Sequence, residues 1–398
     1  MKYYMTLFFI LCWFIDVAQQ EKIDSLNIEL LTQTEDNLKK LRILNQLADY
    51  YQYADPKMGL SQAQKAIELS KTLHLKDEEI LAYKHKAYNL TALSKDSLAM
   101  DVYSLIVKIQ TKRKKWLEVG KATYNKGLLY FSQSNYEQAN SCNDKAFEIF
   151  EKEKDSFLMS IVLNGIGINQ MYLSLYPEAV ETYLKASTIN ELTKKTNTNR
   201  HAEILSNIGI LYARLEKYDL ALNYYNRSLE INKKLNAAYA IANLYTNIGN
   251  LYDSNKAPKK AIAYYQQSLD IMKRIKNDFG IASALANTGI AYINLKKYEK
   301  ALSYLKNTIP LFEALNNTNS LAIIYENIGS AYFESSTESS LKKNELIKAK
   351  FNLEKALVYS EQVNSLVRKA SALEKLALVN YQLSDYKSAY INKTDAER

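Results

Sequence analysis

Small, apolar and aromatic residues recur along this chain in one pattern, with a period of about 40 residues. Its core is the segment N-x-G-x-x-Y, in which an asparagine precedes a glycine by two residues and a tyrosine follows it by three. The glycine, or an alanine in its place, stands at Ala48, Ala87, Gly127, Gly167, Gly209, Gly249, Gly289, Gly329 and Ala377. The pattern therefore predicts nine repeats of one structural unit.

A second small residue follows the first by twelve positions in most repeats. It stands at Ala99, Ala139, Ala179, Ala221, Ala261, Ala301 and Ala389, with Gly59 and Ala349 as displaced equivalents. Small residues inside helices let neighbouring helices approach closely, so two of them per repeat predict two crossing helices. The motif tyrosine, such as Tyr212, lies on the same helical face as the glycine, and we expect it to fill the space beside it.

Three prolines refine this helical prediction. Pro177 and Pro258 fall at the start of a second helix, where a missing N–H is tolerated. Pro310 falls inside the second helix of repeat seven, where it predicts a kink. The insertion 335–346, SSTESSLKKNEL, separates the two helices of repeat eight and reads as a surface turn or, alternatively, as a partner-binding loop.

The residues Asn207, Gly209, Tyr212, Ala221 and Tyr225 carry a pattern that resembles the tetratricopeptide repeat. The resemblance covers residues 35–398, and the long unit without a closing proline is similar to the repeats of kinesin light chains, Pins-type spindle adaptors and bacterial signalling regulators. It implies an all-α fold, a right-handed α-solenoid of about nine helix-turn-helix repeats. Leu90, Gln170 and Asn380 depart from the motif tyrosine.

The amino end predicts export. Residues 1–18 combine one lysine with an apolar run from Met5 to Ile15 and a small residue at Ala18, as a secretory signal peptide does. Asp16 departs from the small residue usual three positions before the cut. We expect cleavage near Ala18 and a periplasmic or envelope location in a bacterium, with no membrane-spanning helix in the mature chain.

The two ends of the array differ in the expected capping. Ile23, Leu26, Leu30 and Leu31 predict an amphipathic capping helix over 21–34. At the other end, the last repeat has a shortened second helix and no cap helix before Arg398. Similar bacterial regulators continue into a membrane helix and a cytoplasmic domain, so the chain reads either as a stand-alone array or as a truncated relative of such sensors.

Composition argues against catalysis and against cofactors. Three histidines and two cysteines leave little material for a metal site or a disulfide framework. The net charge of +9 with 24% charged residues is too mild to imply a nucleic-acid partner. No P-loop, G-x-S-x-G or H-E-x-x-H motif is present. We predict a protein that is not an enzyme and binds no cofactor.

The candidate binding site is a polar column on the first helices. Two residues before each motif position the chain carries mostly asparagine, and the column with its neighbours gives the candidate groove residues His85, Asn125, Arg214, Asn207, Asn247, Asn250, Asn287 and Asn327. In the tetratricopeptide family the first helices line a concave surface, and the resemblance implies an asparagine ladder that binds the backbone of an extended peptide.

Two alternatives stay open at the level of the sequence. The asparagines of the column bridge adjacent repeats, or only keep one face soluble. The whole array could also support an envelope structure by edge-to-edge or end-to-end self-association, rather than bind a peptide or protein segment.

Overall fold

A computed structural model describes residues 19–194, 196, 198–336 and 342–397. The predicted signal peptide, residues 1–18, lies outside the described residues. The regular structure of the described chain is helical throughout. It forms two compact units, Met1–Lys195 and Thr196–Arg398. All-α architecture is therefore confirmed, with the array divided into two units.

The first unit contains a leading helix and four helical hairpins. The leading helix, α1, spans residues 19–31. The hairpins pair α2 with α3, α4 with α5, α6 with α7 and α8 with α9. Their bounds are α2 Leu38–Ala54, α3 Pro56–Thr72, α4 Lys76–Ala92, α5 Asp96–Lys112, α6 Trp116–Ser132, α7 Tyr136–Lys152, α8 Ser156–Tyr172 and α9 Tyr176–Leu192.

Helix α1 covers the outer side of the first hairpin. Ile23 and Leu26 are buried against Ile43 and Leu47 of α2. Leu31, which the sequence analysis assigned to the same apolar face, is instead 84% exposed. The helix ends at Leu31, because a turn follows at Thr32, whose hydroxyl donates to the carbonyl of residue 29. Leu31 is therefore the last residue of α1.

The second unit contains five hairpins. Its helices are α10 Asn199–Arg214, α11 Tyr218–Lys234, α12 Ala238–Ser254, α13 Pro258–Arg274, α14 Asp278–Asn294, α15 Tyr298–Lys306, α16 Ile309–Ala314, α17 Thr318–Ser336, α18 Lys342–Gln362, α19 Leu366–Gln382 and α20 Tyr386–Glu397. The kink predicted at Pro310 is confirmed, since one helix ends at Lys306 and the next starts at Ile309.

The described ends of the insertion 335–346 differ from the surface turn expected from the sequence, and residues 337–341 lie outside the described residues. Residues 335–336 complete α17, and residues 342–346 form the first turn of α18. These two helices therefore run 19 and 21 residues, where most others in the chain have 17. Ser336 and Leu346 are both buried in the added turns. Their burial makes helix more favourable than a solvated loop despite the Ser-rich composition.

Most of the turns between helices share one backbone conformation, which recurs about every twenty residues along the array. A residue with positive φ closes each of these helices, for example Ser94, Lys114, Lys256 and Lys276. The amide three residues past the helix end bonds back to the last turn, as Lys95 N does to the Leu90 carbonyl at 2.8 Å. No described residue with positive φ is a glycine, so the glycines serve another purpose.

Glycines in the first helices allow the second helix of the same hairpin to approach. A β-carbon on Gly249 would lie 2.4 Å from the ring of Tyr265, sixteen residues further along. In another hairpin, a β-carbon on Gly289 would lie 3.3 Å from the carbonyl of Ala301, which confirms the predicted crossing at two small residues. The expectation for the motif tyrosine is wrong. Tyr252 does not fill the space beside Gly249; it stacks on Tyr264 at 5.4 Å between ring centroids.

Candidate functional site

The first helices of successive hairpins are neighbours in the second unit. Helix α10 contacts α12, α12 contacts α14, α14 contacts α17, and α17 contacts α19. Among the described helices of this unit, no two second helices make comparable contact. The first helices therefore lie on the side where the hairpins converge, which is the inner side of a stacked array.

Four asparagines of the predicted column occupy equivalent places on this inner side. Asn207, Asn247, Asn287 and Asn327 each precede a motif glycine by two residues, and each is half-buried. Repetition of one helical position on neighbouring helices places the carboxamides in one row. Asn125 and His85, which the sequence put in the same column, belong to the first unit.

The side chains of these asparagines differ in the hydrogen bonds that they make within the protein. Asn327 Nδ2 donates to the Ile323 carbonyl of its own helix at 2.8 Å. Within the described residues, the side chains of Asn247 and Asn287 make no hydrogen bond. Each of these two amides offers donors and an acceptor toward the groove, which suits a main-chain amide of a ligand.

A cavity of about 450 Å³ lies between the first and second hairpins of the second unit, where Asn247 faces the preceding repeat. Arg214 and Asn250 line it with Asn247, so three of the predicted site residues are brought together. Asn250 accepts a hydrogen bond of 2.8 Å from the hydroxyl of Tyr265. Burial raises the pKa of Tyr265 well above its ordinary value, so this phenol stays a donor and fixes the orientation of Asn250.

A larger cavity, of about 700 Å³, adjoins Asn207. Glu203 and Asn243 of the first helices line it, but so do Ser228 and Asn232 from α11, which the sequence analysis did not single out. Both α11 residues are buried, and Asn232 Nδ2 donates to the Ser228 carbonyl at 3.0 Å. The sequence signal for this contribution from α11 was a pair of polar residues, Ser228 and Asn232, spaced by one helical turn.

The far end of the column is closed by an ion pair. Lys375, which stands at the column position in the last repeat, lies 2.6 Å from Glu326 of α17. The same carboxylate oxygen accepts a 2.7 Å bond from the Ser371 hydroxyl. Between α12 and α14, Asn294 Nδ2 donates to both carboxylate oxygens of Asp253 at 3.0 Å. Polar groups of the inner side thus partly bridge adjacent repeats, as the alternative interpretation expected.

In the first unit, Asn125 has a bridging role. Its carboxamide hydrogen-bonds the hydroxyls of Tyr88 and Tyr103, which belong to the preceding hairpin. Burial raises the pKa of both phenols, and the bond to Asn125 lowers it in part. Asn125 therefore connects two repeats and does not stand open in a groove.

His85 is also part of the interior, with 8% of its surface exposed. Burial lowers its pKa, and the carboxylate of Asp49, 3.5 Å from Nδ1, opposes that shift. No hydrogen bond satisfies Nδ1 at this distance. A neutral, buried imidazole of this kind packs between hairpins and offers no surface for a ligand.

The groove carries carboxamide side chains beside two cavities. Among the described residues, no group of three or more His, Cys, Asp or Glu side chains stands ready to hold a metal ion. The described helices also include none that is long and apolar enough to cross a membrane. The carboxamides of Asn247 and Asn287, which make no hydrogen bond within the described residues, are neutral groups that carry both donors and an acceptor.

Comparison with known proteins points to one repeat family. Residues 200–274 match the family model described as tetratricopeptide repeat. A sequence comparison with curated proteins finds no match. The family model covers the first two hairpins of the second unit, where the N-x-G-x-x-Y motif is complete.

Solved structures with similar folds cover much more of the chain. A Rap protein in complex with competence and sporulation factor is 16% identical, covers 90% of this chain and 98% of its own, and gives a TM-score of 0.54. Aspartyl phosphate phosphatase F from Bacillus subtilis is 13% identical, with 91% and 94% coverage and a TM-score of 0.57. At these identities the likeness concerns the fold.

A third relative is a signal transduction ATPase with numerous domains, with a tetratricopeptide repeat sensor, from Pyrococcus horikoshii. It is 17% identical over 85% of this chain, with a TM-score of 0.54. The chain covers 52% of that protein, about half of its length. The shared part is again a stack of helical hairpins.

Proposed function

We propose that the chain, in which residues 200–274 match the tetratricopeptide repeat family model, is a non-catalytic scaffold that binds a peptide or protein segment along the first helices of its second unit. The observation that carries this proposal is the pair of carboxamides on Asn247 and Asn287, which no described side chain or backbone group satisfies. They stand at the same position of adjacent first helices, with a cavity beside Asn247.

The energetics favour an extended segment over a small molecule. One hydrogen bond to a carboxamide contributes only about 0.5 to 1.5 kcal/mol net, so several must act together. An extended peptide presents main-chain amides at a regular spacing and uses successive repeats at once. The structural similarity to a Rap protein in complex with competence and sporulation factor supports ligand binding by a stack of this kind.

The direct test is affinity purification from cell envelopes with the mature array as bait. The variant Asn207→Ala/Asn247→Ala/Asn287→Ala should lose partners that the parent chain retains. A matched control removes two exposed carboxamides from second helices, Asn223→Ala/Gln267→Ala, and should retain them. Equal recovery of every partner by all three proteins would contradict recognition in the groove.

We also propose that the mature chain acts outside the cytoplasm, as the sensing part of a signalling system. Support comes from residues 1–18 and from the sensor-type relative in Pyrococcus horikoshii. Removal of residues 1–18 leaves the first hairpin supported, since Gln19 Nε2 donates to the Tyr50 carbonyl at 2.8 Å. Amino-terminal sequencing of the chain from periplasmic extract tests this proposal, with Gln19 expected first.

A second candidate function is self-association in an envelope structure. The hairpin of α19 and α20 carries exposed Leu378, Tyr381, Tyr386 and Tyr390 around a cavity of about 570 Å³. In the preceding repeats the corresponding face is covered by a following first helix. Light scattering distinguishes the candidates, because self-association predicts a mass above that of one chain, reduced by Tyr381→Ser/Tyr390→Ser. A single-chain mass at high concentration removes this candidate.

A further inference from the structure

A second open groove lies on the first unit, away from the asparagine column. It is bounded by the two second helices α3 and α5 and has α4 as its floor, with a volume of about 690 Å³. Leu90 and Val102 are buried at its base, while Leu60 and Leu98 remain partly exposed along its sides. The base is therefore apolar and accessible from solvent.

The cavity stands where three later repeats place a pair of tyrosine rings. In those repeats, the tyrosine three residues after the motif glycine packs on the tyrosine twelve residues beyond it. The pairs are Tyr212 with Tyr224, Tyr252 with Tyr264, and Tyr292 with Tyr304, at 5.4 to 5.6 Å between centroids. The corresponding residues of repeat two are Leu90 and Val102. Two aliphatic side chains therefore replace two aromatic rings, and the space that the rings would occupy is accessible to solvent.

The flanking helix supports the same correspondence. In the second unit, Leu222 of the preceding second helix packs against the same core cluster as Tyr252 and Tyr264. Leu60 occupies that place on α3, since each leucine is the fifth residue of its helix. It lines the open groove instead of touching a ring. The groove thus occupies the position that tyrosine pairs take in the second unit and has a leucine at the corresponding place on its flanking helix.

The rim of the groove is positively charged. Lys57 and Lys65 of α3, Lys86 of α4 and Lys95 before α5 all line it. In the described residues, no ion pair engages Lys57, Lys65 or Lys95. In the tyrosine repeats such cations lie over rings, as Lys217 does over Tyr212 at 6.0 Å. Lys95 holds the same position in repeat two, where no ring is present to receive it.

Two carboxylates moderate this charge without cancelling it. Glu68 accepts a 3.0 Å bond from Gln64, whose own carbonyl oxygen accepts a bond from Lys86 at 3.0 Å. Asp101 is exposed on α5. The four lysines therefore exceed the two acids along the lining. Such a rim attracts an anion, and the apolar base adds affinity for a bulky side chain.

We propose that this groove is a second docking site, for an acidic peptide segment of a partner that carries one bulky apolar side chain. The apolar side chain occupies the space over Leu90 and Val102. Carboxylates on either side of it pair with Lys57, Lys65 and Lys95, and the lysines lie over an aromatic anchor as they do over the chain's own tyrosines. The site lies within the first unit and acts independently of the asparagine row.

The test uses the full mature chain and a fluorescein-labelled heptapeptide with phenylalanine at its centre and glutamate at the flanking positions. Anisotropy should show saturable binding that weakens as salt is raised, because the charges are exposed. Two matched peptides separate the contributions, one with alanine for phenylalanine and one with lysine for glutamate. Each should bind at least about tenfold more weakly, since about 1.4 kcal/mol corresponds to a factor of ten.

Two variants test the site itself. Leu90→Tyr/Val102→Tyr installs the ring pair of the later repeats and should abolish binding while preserving helicity. Lys57→Gln/Lys65→Gln/Lys95→Gln should weaken binding and flatten its salt dependence. The control Lys256→Gln/Lys276→Gln/Lys296→Gln removes the same charge from turns of the second unit and should bind as the parent does. The triple asparagine variant should also bind as the parent does.

Three results would overturn the proposal. Undiminished binding by the filled variant would place the peptide elsewhere. Equal weakening in the groove and control lysine variants would reduce the effect to net charge. Binding of phosphatidylglycerol vesicles, with none of the peptide, would identify the rim as a contact for an anionic membrane surface.

Discussion

Gly209 and Tyr225 face each other across one hairpin so closely that a β-carbon on the glycine would lie 2.6 Å from the tyrosine ring. The same spacing of sixteen residues joins Gly167 with Tyr183. Tyr225 is almost wholly buried, and burial raises the pKa of its hydroxyl. The motif glycine is thus the place where a buried aromatic ring meets the backbone of the first helix.

This contact predicts the effect of adding one methyl group. Gly209→Ala places a β-carbon closer to the ring than packed atoms tolerate, so either the ring or α11 must shift. Overpacking of a core costs about 1 to 3 kcal/mol, which exceeds the gain in helix propensity from alanine. Urea denaturation followed by circular dichroism should show a lower midpoint for the variant.

Gly165 supplies the matched control for that measurement. It also lies inside a first helix, but a β-carbon there would meet Asn143 and Tyr124 side-chain atoms at 3.2 Å. A small adjustment of those side chains relieves this contact. Gly165→Ala should therefore leave the urea midpoint unchanged or raise it, with a gain of up to about 1 kcal/mol in the free energy of unfolding. Equal losses at both glycines would refute the role assigned to the ring.

The two kinds of asparagine in the column should respond differently to removal. Asn125→Ala leaves the buried hydroxyls of Tyr88 and Tyr103 without this partner, at a cost of about 1 to 3 kcal/mol in the free energy of unfolding. Asn247→Ala removes a side chain with no hydrogen bond in the described residues, and should change stability by less than about 0.5 kcal/mol. Denaturation of the two single variants compares them directly. A large loss for Asn247→Ala would show that it is structural.

The turns offer a stabilising substitution. Lys256 has φ of 56°, a conformation that is unfavourable for any residue with a β-carbon. Lys256→Gly relieves that strain but adds freedom to the unfolded chain, so we expect a net gain of about 0.5 kcal/mol. Gln267→Gly, at an exposed position in the middle of α13, should lose about 1 kcal/mol and serves as the opposite control. Thermal melting measures both, and a loss at Lys256 would contradict the strain argument.

His85 predicts a pH dependence of the first unit. Burial lowers its pKa below the ordinary value of 6.5, so the unfolded chain takes up the proton first as pH falls. Stability is therefore complete above about pH 6.5 and declines toward the lower pKa of the folded state. His85→Gln should lose this component. The difference in melting temperature between pH 7 and pH 5 should be smaller in the variant; an equal difference would assign the dependence to other groups.

The period of the sequence was sufficient to predict the hairpins, because each repeat places small residues where two helices must cross. It did not predict the partner of the glycine. Tyr212 and Tyr225 are both aromatic and both near Gly209 in a helical hairpin, and only the crossing geometry decides which ring is buried. The two ends of the insertion 335–346 were misjudged for a related reason, since Leu346 is buried by tertiary packing that its Ser-rich surroundings do not indicate.

The positions of the candidate site residues were predictable from the sequence, but the hydrogen bonds that their side chains make were not. Equivalent positions in a repeat place Asn125 and Asn247 in one column, but their hydrogen bonds depend on the neighbours. Asn125 meets Tyr88 and Tyr103, whereas Asn247 meets the cavity lined by Arg214. The sequence alone also gave no sign that the array divides near Lys195 and separates these residues between two units.

The most direct test of groove recognition is calorimetric titration of a recovered partner segment into the parent chain and into Asn247→Ala/Asn287→Ala. Two lost hydrogen bonds of about 0.5 to 1.5 kcal/mol each predict binding weaker by roughly 5- to 150-fold, with the melting temperature unchanged. The control Asn223→Ala/Gln267→Ala should bind as the parent does. Affinity in the double variant within about twofold of the parent would contradict the assignment of these carboxamides as the binding groups.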